Sequence, residues 1–209
     1  MIEPIFHDVA QRSPEWHALR RGRPTASEFR SIFTSQGKPA SSTVQSTYLH
    51  RLIAERLVDE LPEPFESDWM RRGRELEPEA IRAYELARDL EVTPVGFVEV
   101  PGLGGCSPDG LVGTDGGVEL KVPAPHTHVA TLLAGKVPPD YVPQVQGAML
   151  LTGRAWWDFV SYSPDLPPVI VRVERDEDYI AGLREALEKF NAKLEAALAK
   201  LAELGAVAA

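Results

Sequence analysis

The stretch Gly117-Val118-Glu119-Leu120-Lys121-Val122-Pro123 decides the fold of this chain. Its apolar, partly β-branched residues, bounded by glycine and proline, predict a short strand, yet a carboxylate and an ammonium interrupt it. Side chains alternate between faces along a strand, so Glu119 and Lys121 share one face while Val118, Leu120 and Val122 pack on the other. Both charges therefore point into one cleft. Ten residues before Glu119 stands Asp109, in Cys106-Ser107-Pro108-Asp109-Gly110, where proline and glycine mark a tight turn at the end of a neighbouring strand. A hairpin-like return brings the two carboxylates together. Adjacent carboxylates repel unless a cation or proton separates them, and hard oxygen ligands suit Mg2+ or Mn2+. Lys121 beside such an ion orients an attacking water or stabilises charge on a phosphate. The plainer alternative is a turn followed by a Glu-x-Lys cross-strand ion pair.

On the N-terminal side of this stretch the pattern is helical. Ser13-Pro14-Glu15 pairs an N-cap residue with proline at the first helical position, predicting a short helix that carries Trp16, Leu19 and Arg20. Thr25 and Glu28 stand at capping-box spacing and open a second helix. A third is expected from about Thr43 to Val58 and a fourth from about Ser67 to Leu90. Three short strands follow, in VTPVGFVEV, GCSPDGLVG and GVELKVP, and helices return near 125–135 and 141–152. Two strands, AWWDFVSYS and PVIVRVER, lead into a closing amphipathic helix with Leu183, Leu187, Phe190, Leu194, Leu198 and Leu201 at three- and four-residue spacing. The class is mixed α/β.

A chain of 209 residues, 44% hydrophobic and 25% charged, buries a proper core and is most simply one domain. No repeat or low-complexity segment divides it. The N-terminal MIEPIFHDVAQRSPEWH lacks the pattern of a signal peptide, and no apolar run reaches membrane-spanning length, so a cytoplasmic protein is expected, without a membrane partner. Its single cysteine, Cys106, excludes an internal disulfide and any multi-thiolate zinc or iron–sulfur site within one chain. A net charge of −9 argues against coating nucleic acid by charge alone. Yet Arg20, Arg21 and Arg23, and then Arg71, Arg72 and Arg74, form two arginine clusters, either solvated helix ends or a localised anion site.

The Pro108-Asp109 and Glu119-x-Lys121 arrangement resembles the PD-(D/E)XK nuclease signature. Within that superfamily the chain resembles the phage lambda-type (YqaJ-like) alkaline exonucleases of viral recombination, through PEWHALRRGRPTASEF, RRGRELEPEA, CSPDGL, ELKVP, PQVQGAML and VERDEDYI, in the family's order. The resemblance implies a restriction-endonuclease-like core: a mixed central sheet flanked by helices. It implies one nuclease domain over 1–209, with a helical part at 13–90, a catalytic sheet core at 91–175 and a C-terminal helix at 176–204. The implied activity is Mg2+-dependent 5′-to-3′ exonuclease action on double-stranded DNA ends. One strand is hydrolysed to mononucleotides, and a 3′ overhang is left for a single-strand annealing recombinase protein.

The implied metal ligands are Asp109, Glu119 and the Leu120 carbonyl, with Glu77 completing the site from a helix and Lys121 positioning the water; the plainer view of Glu77 is a surface charge. Glu75 and Glu79, two residues either side, point elsewhere on that helix. Of the pair Gln144 and Gln146, Gln146 is the expected site-facing member, unless it caps the core. Two Mg2+ ions, or Mn2+ in their place, would serve attacking and leaving oxygens. Arg20, Thr25 and Ser27 match the family's pocket for a terminal 5′ phosphate, with backbone N–H donors from the helix near Thr25. Trp16 and Met70 match apolar side chains that part the terminal base pairs, or are core residues. A homotrimeric ring around DNA and a phage or prophage origin in a bacterial host are implied too. His126 and His128, at a spacing that fits no zinc motif, read as surface or supporting residues, and Trp156-Trp157 as one core and one surface position. A restriction- or repair-type endonuclease and a non-catalytic DNA-end-binding protein are the alternatives; Asp109, Glu119 and Lys121 together speak against the second.

Overall fold

The computed structural model describes residues 3–59 and 67–205; positions 1–2, 60–66 and 206–209 of the expected 1–209 span lie outside the described residues. A short strand, β1 (Ile5–His7), comes first and had no sequence signal. Helix α1 (Pro14–Arg20) begins as expected, the Ser13 side chain accepting the Trp16 N–H and Pro14 sitting in the first turn. The expected second helix is only a 3-10 segment, Ala26–Ser31. Its capping box does not form: Thr25 makes no side-chain cap bond, and Glu28 pairs with Arg51 at 3.2 Å. Fully buried Phe29, with Ile32 and Phe33, fixes this tighter winding against the core instead.

Helices α2 (Ser42–Leu57) and α3 (Asp68–Arg88) follow, capped by Ser41 and Ser67. Next come β2 (Val92–Thr93), β3 (Phe97–Val100), β4 (Gly104–Cys106), β5 (Gly110–Val112) and β6 (Gly116–Lys121). The chain continues with α4 (Pro125–Ala134), α5 (Val142–Thr152), β7 (Trp156–Ser163), β8 (Leu166–Glu174) and α6 (Glu177–Glu203).

These strands form two sheets. One has the order β1-β3-β4 and the other β2-β5-β6-β7-β8. Pro94 separates β2 from β3, and Pro108 separates β4 from β5. At each proline, which has no N–H to continue a ladder, the chain leaves one sheet for the other. In the larger sheet β6 and β7 are parallel and the other pairs antiparallel, so it is mixed, and α4 and α5 supply the crossover that a parallel pair requires.

Helices flank this sheet. On one face Val118, Leu120 and Val160 pack with Ala80 and Tyr84 of α3. On the other, Trp157 joins Met149 and Leu151 of α5 and Leu183, Leu187 and Phe190 of α6. The parallel register sets Gly117 beside Trp157, where a Cβ would lie 2.4 Å from the indole ring. Glycine there leaves room for the largest core side chain beside β6. No helix among the described residues is long and apolar enough to cross a membrane.

Candidate active site

The β5/β6 hairpin pairs Gly110 with Val118, which sets Asp109 opposite Glu119. The Asp109 carboxylate accepts the Leu120 N–H at 2.6 Å. Glu119, 3% exposed, receives two donors on one oxygen: the Lys121 ammonium at 2.5 Å and the Gln144 amide at 2.5 Å. The Glu-x-Lys pair thus lies along one strand face, not across strands. Burial and the Glu119 charge push the Asp109 carboxyl well above the usual carboxylate range, against the opposing pull of Lys121 and the Leu120 N–H. Burial works against the Lys121 ammonium, yet Glu119 and Asp109 hold its pKa above the usual lysine range, so it stays a cation at alkaline pH. It lies 5.2 Å over the Tyr141 ring.

Glu77, on α3, reaches the edge of this group: its charge adds to the pressure on Asp109, and its carboxylate accepts the Arg12 guanidinium at 3.0 Å. Glu79 turns away to the Tyr162 hydroxyl, as helix geometry predicts. Gln146 does not face the site. Its amide donates to the Glu174 carbonyl at 3.0 Å and accepts the Asp176 N–H at 3.1 Å, tying the end of β8 to the start of α6. Residues two apart on a helix face different ways, and the orientation of α5 gives the site to Gln144 instead.

Beside the carboxylates lies a second cluster. The Trp16 indole N–H donates to the Ser107 hydroxyl at 2.8 Å, and Arg20 donates to the same oxygen at 3.1 Å while stacking 4.3 Å above the Trp16 ring. Among the described residues no carboxylate stands within ion-pair distance of Arg20. Burial lowers its pKa, the mark of a cation taken from water without a countercharge. Ser27 lines the same cleft as Arg20, Ser107, Asp109, Glu119 and Lys121. Thr25 is buried; its hydroxyl is 3.4 Å from that of Ser27, and its N–H is taken by the Tyr48 hydroxyl at 3.1 Å. That N–H is therefore not a free donor in the pocket. Met70, in the first turn of α3, is 57% exposed and does not line the cleft, whereas Trp16 does.

Three polar residues of the cleft were given no role in the sequence reading: Gln11, Arg12 and Ser107. Ser107 was adjacent to the Pro-Asp turn, the one available signal. The Gln11 amide donates to the carbonyls of Val95 at 2.9 Å and Pro108 at 2.8 Å, stapling the Asp109 turn in place. His128 is neither a surface residue nor part of the site: it is fully buried, its ring nitrogens bonded to the Ser161 hydroxyl and the Pro167 carbonyl. Trp157 is core and Trp156 half-buried, with Arg172 stacked 3.5 Å above it.

The oxygen donors fit a hard divalent cation. Asp109, half-buried, and Glu119, buried, stand on paired positions of one hairpin, and the burial and Glu119 charge that disfavour the Asp109 carboxylate are what such an ion offsets. Among the described residues no group of three His, Cys, Asp or Glu side chains is gathered for a metal, and Glu77 is paired with Arg12.

Comparison with known proteins bears on the family and the fold. The family model described as the YqaJ-like viral recombinase domain matches residues 15–155. The fold is similar to that of an alkaline exonuclease, LHK-Exo, from Laribacter hongkongensis, with 38% identity, a TM-score of 0.84, and coverage of 93% of this chain and 98% of that one. The complex of LHK-Exo with dAMP matches over the same shares, also at 38% identity, with a TM-score of 0.83. A phage-related exonuclease from Haemophilus somnus 129PT, at 19% identity, shares the fold with a TM-score of 0.60 over 84% of this chain and 96% of its own. No curated protein matches the sequence.

Proposed function

The chain belongs to the family of the YqaJ-like viral recombinase domain, and from that premise we propose that it is a DNA exonuclease, Mg2+-dependent and acting 5′ to 3′ on double-stranded ends. The observation that carries this reading is the contiguity of two clusters. The unpaired Arg20 guanidinium bonds Ser107, and Ser107 is two residues from Asp109, a reach of about 7 Å. A 5′-terminal phosphate held at Arg20 sets the next phosphodiester against Asp109 and Glu119, so hydrolysis releases one nucleotide at a time. The similar LHK-Exo binds dAMP, a mononucleotide, which suits such a step.

Each residue has a task in this scheme. Asp109, Glu119 and the Leu120 carbonyl would hold Mg2+, or Mn2+, with Glu77 at hand for a second ion. The bound metal supplies the Lewis acidity that polarises the phosphodiester and activates water. Lys121, held charged by its carboxylates, stabilises negative charge on the phosphate and orients the attacking water without acting as a base. Gln144 fixes the Glu119 carboxylate from the far side. Arg20 grips the terminal phosphate, helped by Ser107, whose hydroxyl has accepted two donors and keeps its own proton to give. Ser27 and Thr25 border this pocket, with Trp16 flooring it and Met70 exposed near the incoming duplex. The strand left behind is a 3′ overhang for a single-strand annealing recombinase protein. The assembly is a ring of three chains, working in the cytoplasm of a bacterial host on behalf of a phage or prophage.

Linear and circular duplexes, incubated with and without Mg2+, test the reading. Wild type should release 5′ mononucleotides from linear DNA only and only with the metal, and Asp109→Asn should release none. Cutting of covalently closed circles would move the protein to the endonucleases, and full activity of Asp109→Asn would sink the site.

A further inference from the structure

Arg12 is the one cleft residue whose backbone is held in an unfavourable conformation. Its φ is 70°, in the left-handed region that side chains other than glycine seldom adopt. The segment is pinned on both sides. Gln11 is stapled to Val95 and Pro108, and the Ser13 N–H closes a tight turn onto the Ala10 carbonyl at 3.1 Å just before α1. Anchored this way, the Arg12 side chain lines the cleft, half exposed, and its guanidinium pairs with Glu77. Every carboxylate of the site then has an internal partner: the Leu120 N–H for Asp109, Lys121 and Gln144 for Glu119, and Arg12 for Glu77.

We propose that Arg12 is a placeholder cation: it keeps Glu77 occupied until a divalent ion takes that carboxylate, and its freed guanidinium then binds a phosphate of the DNA strand entering the site. The proposal rests on the metal-dependent nuclease reading and adds a substrate-binding residue to it. Two physical points support the exchange. A half-exposed arginine–carboxylate pair is weak, so a divalent ion displaces it at little cost. The planar guanidinium, with five donors, matches phosphate oxygens as well as it matches a carboxylate, so its charge is not stranded once Glu77 is taken. Pairing also explains why Glu77 stands at the edge of the carboxylate group although its field reaches Asp109.

The two halves of the exchange predict effects of opposite sign. Arg12→Gly removes the guanidinium and relieves the left-handed backbone, so folding is favoured, and a thermal melt checks this. Calorimetric titration of the DNA-free protein with Ca2+ should show Arg12→Gly binding the ion about threefold more tightly than wild type. Anisotropy with a 5′-phosphorylated blunt duplex in saturating Ca2+ should show it binding DNA at least about tenfold more weakly. Arg12→Lys keeps a cation beside Glu77 but loses the fork, so its Ca2+ affinity should stay near wild type while duplex affinity falls. A residue that only supports the fold would weaken both. Unchanged or weaker Ca2+ binding by Arg12→Gly, or unchanged duplex binding by either variant, overturns the inference and leaves the nuclease reading standing. Wild type that binds no divalent ion at all overturns both.

Discussion

Gln144 and Gln146 differ by two positions and have different fates, and the difference is measurable. Gln146→Ala leaves the Glu174 carbonyl and the Asp176 N–H unpaired beside a buried site, at about 1–3 kcal/mol each. The melting temperature should fall by at least about 3 °C, with the rate per folded molecule kept below the transition. Gln144→Leu should do the reverse, slowing hydrolysis about tenfold or more with little change in melting, because it releases one side of Glu119. Matching effects of the two would remove Gln144 from the site. Arg20→Ala makes the second test: it should erase the preference for 5′-phosphorylated over 5′-hydroxyl ends, worth about 1.5–3 kcal/mol for a charge-assisted bond. An unchanged preference would leave Arg20 a structural partner of Trp16. At this scale the sequence disclosed Asp109, Glu119 and Lys121, because a strand's alternation assigns their faces directly. It named the pair Gln144 and Gln146 but favoured the wrong member, and it was silent on Arg12, since a helix face and a loop's left-handed turn are set by packing partners far along the chain.

The elements were more legible than their ends or their sheet membership. The Ser13-Pro14 start and helical spacing of apolar residues placed all six helices close to where they stand, and left-handed caps at Asp89, Gly135 and Gly153 end three of them. β1 escaped because three residues hold too little pattern, and the split into two sheets escaped because strand pairing is a long-range property. The failed capping box has a positive counterpart in Tyr48 of α2, which takes the Thr25 N–H on its hydroxyl and stacks on Phe190 of α6 at 5.5 Å between centroids. Three elements therefore meet at one phenol. Burial raises its pKa from 10.0 to about 12. The native state holds this proton more tightly than the unfolded chain, so its stabilising share is full below pH ~10 and is lost as pH climbs through about 12. Chemical denaturation of wild type from pH 9 to 12 should show stability falling with pH. Tyr48→Phe should be less stable at neutral pH by about 1–3 kcal/mol and fall less steeply above pH ~10. Parallel curves for the two proteins would assign the alkaline loss to other groups.

At the scale of the molecule, charge poses a problem that assembly answers. The net charge is −9, and many arginines are already neutralised within the chain: Arg30 by Asp140, Arg51 by Glu28, Arg56 by Glu195, Arg71 by Asp68 and Arg172 by Asp158. With acidic residues in excess, the chain's net charge opposes the replacement of DNA counterions, so one chain should hold a duplex weakly at physiological salt. Repeated removal of nucleotides from one end then requires confinement rather than grip. A head-to-tail contact whose rotation closes gives a ring, with the product strand passing through its channel. Three copies of the 23.0 kDa chain make a particle of about 69 kDa, which light scattering at micromolar protein should register. Excess unlabelled competitor, added once digestion has begun, should leave the labelled strand's digestion running, and rising salt should slow loading more than progress along the strand. A monomer that stops when competitor is added would refute the ring while leaving the cleft chemistry intact, because Asp109, Glu119, Lys121 and Arg20 all come from one chain.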